Sequence, residues 1–103
     1  MAQPKYKRVL LKISGEALAG NQSRGLDFNV IGSVCDVVRK CVALGVQVGI
    51  VVGGGNFWRG VKDGGDRMER VRADHMGMLA TAINALAVAD VLEQKGVEVR
   101  VQT

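Results

Sequence analysis

Proline is almost absent: Pro4 is the single one in 103 residues. Aromatic residues are also scarce, with one Trp, one Tyr and two Phe. So little proline rules out a polyproline linker, and an apolar content of 48% rules out a disordered tail. There is one histidine, His75, which reads as a surface or interface residue, and there are two cysteines, Cys35 and Cys41. No metal-binding spacing surrounds them. The cysteines fall on one predicted helix about 9 Å of rise apart, beyond disulfide reach. Two buried free thiols fit a reducing compartment, so the expected localisation is cytoplasmic. The basic N-terminus has its apolar run broken by Lys12, which excludes a signal-peptide core. The longest uncharged stretch, residues 76–89, is too short to cross a bilayer, and no membrane partner is expected. No repeat, linker or low-complexity segment divides the chain, so it is one domain at most.

One-signed charge is also lacking. Fourteen basic residues stand against ten acidic ones, a net +4 that favours an anionic partner only weakly. Arg59, Lys62, Arg67, Arg70 and Arg72 would be a nucleic-acid patch, but Asp63, Asp66 and Glu69 dilute it and no RNA-binding motif accompanies it. Nucleic acid is not the expected partner.

Glycine, by contrast, is plentiful. Its fourteen copies gather at the ends of apolar runs. Residues 9–14 (VLLKIS) and 46–52 (VQVGIVV) read as strands ending in glycine, and 97–101 (VEVRV) alternates as a third. Between the first two, 15–26 reads as loop. A helix is predicted over 28–44, capped by Asp27 and stopped at Gly45. Its apolar positions are Val30, Val34, Val37, Cys41 and Leu44, with Ile31, Cys35, Val38 and Val42 beside them. A second helix is predicted over 68–95, closed by Gly96. Strands separated by helices predict an α/β layered domain with a parallel sheet.

Ligands of such sheets bind beyond the carboxyl ends of the strands. There the chain carries two glycine turns, SGE at 14–16 and GGGN at 53–56. A glycine costs roughly 0.5–1 kcal/mol against alanine in regular structure, so three in a row need a reason. Main-chain N–H groups with no side chain in front of them make an anion cradle, and Asn56–Arg59 would form a first helical turn with Arg59 forking onto phosphate. On this reading phosphates come so close to Gly53, Gly54 and Gly55 that no Cβ fits. The alternative is that the glycines only permit a tight turn. Neither GxxxxGK[ST] nor a complete GxGxxG is present. Lys12, inside an apolar run, would reach a phosphoryl group at the turn; the alternative is an edge-strand lysine in water. On the second helix Asp74, Gly77, Thr81 and Asn84 share one face. They would face a ligand, with Asp74 accepting from hydroxyls, or serve close helix packing. The rest of that helix is apolar almost all round, which predicts a subunit contact.

KISGEAL (12–18), GVQVGIVVGGGNFWRG (45–60) and ADHMGMLATAINALA (73–87) resemble the N-terminal part of the amino acid kinase family, in its bacterial uridylate-phosphorylating branch. The resemblance runs over the whole chain and covers less than half of a family member. It implies a three-layer α/β/α sandwich with a mainly parallel sheet. Residues 1–103 would be its UMP- and phosphate-binding part, with the C-terminal ATP-binding part absent. The implied reaction moves the γ-phosphoryl group of Mg-ATP to UMP in pyrimidine biosynthesis, with no protein ligand for Mg2+ in this stretch. Lys12, Ser14 and Gly15 match the ATP-phosphate turn, with Lys12 catalytic. Gly55 and Arg59 match the ATP side of the second turn, and Gly54 and Asp74 the UMP side. Gly20, Asn21, Gln22, Ser23, Arg24 and Gly25 match a loop linked to GTP activation, with Ser23 where the family has glycine. UTP inhibition and a hexamer are also implied. Two other readings stay open: a family phosphotransferase acting on a carboxylate or carbamate, and a non-catalytic assembly fragment.

Overall fold

Two six-residue strands pair in parallel, β1 (Arg8–Ile13) with β2 (Gln47–Val52), in the register Arg8↔Gln47 through Ile13↔Val52. The structure, a computed structural model, describes residues 5–58 and 65–102. Alternation along β2 turns Val48, Ile50 and Val52 inward and leaves Gln47, Gly49 and Val51 exposed. Three helices follow the sheet's lead: α1 (Gly15–Ala19), α2 (Phe28–Ala43) and α3 (Arg70–Gln94), with a 3-10 turn at Gly65–Arg67.

Ile13, Leu18, Ile31, Cys35, Val38, Val88 and Leu92 form one core, against which Val48, Ile50 and Val52 pack. Both long helices therefore lie on one face of the sheet. The other face carries Leu10, 73% exposed, together with Lys12 and Val51. The α/β architecture with parallel strands is as the sequence implies, and the described residues build two of its three layers.

Local chemistry explains the helix limits. Asp27 sits at φ −103° and its Oδ1 accepts from the N–H of Asn29 at 2.9 Å. Gly45, at φ +87°, ends α2 with its N–H on the Val42 carbonyl. The inward stripe of α2 is Ile31, Cys35 and Val38, whereas Val37 and Leu44 are exposed. Cys41 is only half-buried, which corrects the expectation of two buried thiols. Burial pushes the Cys35 thiol up from its ordinary range, so it stays neutral.

Two further expectations are corrected. Residues 15–26 are not all loop: Ser14 Oγ accepts from the N–H of Ala17 and opens α1, which ends at Gly20 with φ +62°. Residues 97–101 do not pair as a strand. Val97 and Val99 pack on the core without hydrogen-bonding as a strand, and this segment and β2 line one cavity of about 890 Å³. The uncharged stretch 76–89 lies inside α3, whose 25 residues are by length and composition alone enough to cross a membrane. One side of it, with Ala80, Asn84, Val88 and Leu92, is buried inside the fold, while Leu79 and Leu86 on another side are exposed.

Candidate functional site

The parallel ladder ends where the Gly53 N–H donates to the Ile13 carbonyl at 2.9 Å. This bond sets the turn after β1 beside the turn after β2, on the shared edge that the sequence implies. The contact is close. A Cβ on Gly15 would stand 2.5 Å from the Gly55 nitrogen and 2.8 Å from Asn56 Oδ1, and one on Gly53 would stand 3.2 Å from the Gly15 nitrogen. Gly54 is as tightly enclosed by α3. Its Cβ would meet Ala80 Cβ at 2.9 Å and the Gly77 oxygen and Thr81 nitrogen at 3.0 Å each.

These distances correct the reason for the glycines. At Gly15, Gly53 and Gly54 the space of a Cβ is taken by protein atoms, not reserved for a phosphate. A ligand can meet these residues only through their main chain. The face of α3 with Gly77, Thr81 and Asn84 does serve close packing, since Gly77 and Thr81 border Gly54 and Thr81 Oγ1 donates to the Met78 carbonyl.

Asn84 does more than pack. Its Nδ2 donates to the Gly53 carbonyl at 2.6 Å and to Asn56 Oδ1 at 2.7 Å. Asn56 Nδ2 in turn donates to Asn84 Oδ1 at 3.0 Å and to the Gly25 carbonyl at 2.8 Å. Both residues are buried, at 1% and 0% exposure. Asn56 gave no signal as a buried residue in sequence, because its partners are 28 and 31 residues away.

The segment 20–25 lies against the same turn. The Gly25 N–H donates to the Asn56 carbonyl at 3.1 Å, and Arg24 reaches the Phe57 carbonyl at 3.5 Å. Gly20 and Gly25 have positive φ, and Asn21, Gln22 and Ser23 are exposed. After the glycines the N–H groups of Phe57 and Trp58 both donate to the Gly54 carbonyl, a single helical turn. Trp58 Nε1 then donates to the Ala73 carbonyl at 2.8 Å, beside Asp74.

Lys12 is exposed, one residue before the end of β1, on the sheet face away from the helices. Asp74 is also exposed, its carboxylate held by Arg70 at 3.2 Å across one turn of α3. It precedes Gly77, the residue that touches Gly54, by one turn. The structure thus brings Ser14, Gly15, Gly53, Gly54 and Gly55 into one cluster and sets Lys12 and Asp74 at its borders. Arg59 lies outside the described residues. Among the described residues no three carboxylate, histidine or cysteine side chains gather.

A family model described as the amino acid kinase family matches residues 7–102. Similar solved structures include a UMP kinase from Bacillus anthracis, 40% identical over 87% of this chain and 37% of that one, with a TM-score of 0.79. A UMP kinase from Ureaplasma parvum is 39% identical over 91% of this chain and 40% of that one, also with a TM-score of 0.79. The chain spans about two-fifths of the length of these proteins.

Proposed function

This chain belongs to the amino acid kinase family, and from that premise we propose that it serves phosphoryl transfer from ATP to UMP, giving UDP, as the UMP- and phosphate-binding part of such a kinase. The observation that carries the reading is the meeting of two glycine turns at the carboxyl ends of β1 and β2, with Lys12 one residue from the end of β1. Both similar structures are UMP kinases, which supports a kinase of that kind.

The proposed chemistry asks little of side chains. An oxygen of the UMP phosphate attacks the γ-phosphorus, and the bond to the leaving ADP oxygen breaks with its electron pair going to ADP. The attacking oxygen is already anionic, so no general base is required. Catalysis then consists of positioning and neutralising charge. Main-chain groups of Ser14, Gly15 and Gly55 face the ATP phosphates, and Gly54 faces the UMP phosphate. Lys12 balances charge on the group in flight. Asp74, held on its helix face by Arg70, accepts from the ribose hydroxyls. Arg59 is proposed as a second phosphate contact. Mg2+ bound to ATP would supply neutralisation of its phosphate charge. Control by GTP or UTP and a hexameric assembly remain parts of the same proposal, with 20–25 as the effector-linked segment.

Titration of the isotope-labelled chain with UMP, other nucleoside monophosphates, a carboxylate and a carbamate tests the reading by NMR. Saturable shifts at the amides of Gly53–Gly55 and at Asp74, largest with UMP, are expected. Preference for a carboxylate or carbamate, or no response at these residues, would overturn it.

A further inference from the structure

We infer that Asn56 and Asn84 are positioning residues for the glycine turn: their reciprocally bonded, buried amides fix the main chain at Gly53–Gly55 and couple it to segment 20–25. This deepens the proposed function and rests on reading that turn as the phosphate site.

A buried amide must have its polar atoms paired. Each Asn side chain brings two N–H donors and one oxygen into a water-free place, and any left unpaired is costly. Here all four donors are used. Asn84 spends its pair on the Gly53 carbonyl and Asn56 Oδ1, and Asn56 spends its pair on the Gly25 carbonyl and Asn84 Oδ1. Turning either amide over would set an oxygen against the Gly25 or Gly53 carbonyl. The orientation is therefore unique, and through it three separate stretches of main chain share one set of bonds.

Asn56 also holds the same neighbours by other routes. Its carbonyl accepts from the Gly25 N–H, so that Asn56 and Gly25 are joined by two bonds in opposite senses. Its Oδ1 lies where a Cβ on Gly15 would come within 2.8 Å, which ties it to the turn after β1. A shift of 20–25 therefore moves Asn56, and Asn56 cannot move without Asn84 and the Gly53 carbonyl. No member of this linkage is ionisable. The coupling therefore does not titrate and is not screened by salt, unlike one built on ion pairs.

The test uses Asn56→Ala and Asn84→Ala, with Asn84→Asp as a second variant that keeps the volume and removes the two donors. Ile31→Val in the core is the control for general destabilisation. At a temperature where each variant is folded, amide exchange at Gly25 and Gly53–Gly55 should speed up by roughly tenfold in the Asn variants, the factor one ordinary hydrogen bond carries, and not in the control. Gly25→Ala, strained at φ +85°, should shift the Gly53–Gly55 resonances more in the wild-type background than in Asn56→Ala, where only the main-chain bond between Gly25 and residue 56 is left. Unchanged protection at these glycines in the Asn variants, or an undiminished response to Gly25→Ala, would overturn the inference. So would global unfolding of every Asn variant, since the pair would then be structural alone. Failure of the wild-type chain to bind UMP overturns the proposed substrate and leaves the exchange result to stand or fall by itself.

Discussion

The α-carbon of Gly15 faces the main-chain nitrogen of Gly55 so closely that a Cβ would stand only 2.5 Å from it. Neither partner can yield cheaply, because both belong to backbone fixed by the strand ends. Gly15→Ala should therefore destabilise the fold by about 3 kcal/mol, the upper end for overpacking. A urea titration followed by circular dichroism measures this, and a midpoint equal to wild type would contradict it.

Gly54→Ala should act in the same direction by about 2 kcal/mol, because overpacking here is set against the helix. Its Cβ would press on Ala80 Cβ and on main-chain atoms of Gly77 and Thr81. Any loss of UMP affinity should come with that loss of stability. Ala80→Gly added to Gly54→Ala should recover part of the midpoint, as it removes one of the three contacts. Normal stability with lost UMP binding would instead mean that the phosphate, and not α3, requires the glycine.

Lys12 offers the opposite case. It is exposed, so Lys12→Ala should change stability by no more than roughly 0.5 kcal/mol. A charge that acts mainly on the transferring group is worth roughly 10²–10³ in rate. In a catalytically competent kinase carrying these residues, single-turnover transfer should fall by that factor while UMP affinity stays near wild type. Near-normal transfer would take Lys12 out of the mechanism.

Much of the fold was legible because its signals are local. The Asp27 cap, the Gly45 and Gly96 stops and the two glycine-ended strands each depend on residues a few positions apart. The third strand was not, since VEVRV states a preference for alternation while pairing depends on where β2 stands. Helix α1 was hidden by the glycines around it. At the site, the two turns on one sheet edge followed from parallel topology alone. The role of Gly54 did not, because the atoms that exclude its Cβ come from Gly77, Ala80 and Thr81 on a later helix. The Asn56–Asn84 pair was half visible: Asn84 stood out on an apolar helix, but nothing near it named its partner.

Acid and alkali should each weaken the fold through neighbouring residues of α2, Asp36 and Cys35. Lys95 bonds Asp36 at 2.8 Å and this hydrogen bond is the main reason that the Asp36 carboxyl titrates below its ordinary value of 3.8. A lowered folded-state value means stabilisation that is present above about 3.8 and lost as the pH falls further. Asp36→Asn should therefore be less stable than wild type at neutral pH, with the difference closing in acid. Cys35 is raised by burial, so its neutral thiol stabilises the fold below its ordinary value of 9.0, and that contribution is lost as the pH rises above it. Cys35→Ala should lose that alkaline decline. Thermal midpoints measured across the pH range check both limbs, and parallel curves for wild type and variants would contradict them.

The same apolar surface that completes no core in this chain should drive it to associate. On α3, Leu79 is 67% exposed and Leu86 is 62% exposed, with Ile83 between them on the same helix face. Leu10 and Val51 stand open on the sheet face away from the helices, and residues 97–101 leave the far side of β2 unpaired. Contiguous apolar helix faces and bare strand edges are the surfaces by which chains find partners. The 103-residue chain should sediment as a concentration-dependent oligomer, and Leu79→Glu with Leu86→Lys should shift it towards monomer without loss of helix. It should also make no UDP from ATP and UMP, because the chain spans about two-fifths of the UMP kinases it resembles and, among the described residues, only two strands pair to carry the proposed site. A strictly monomeric chain that turns over both nucleotides at a substantial rate would refute both halves of this expectation.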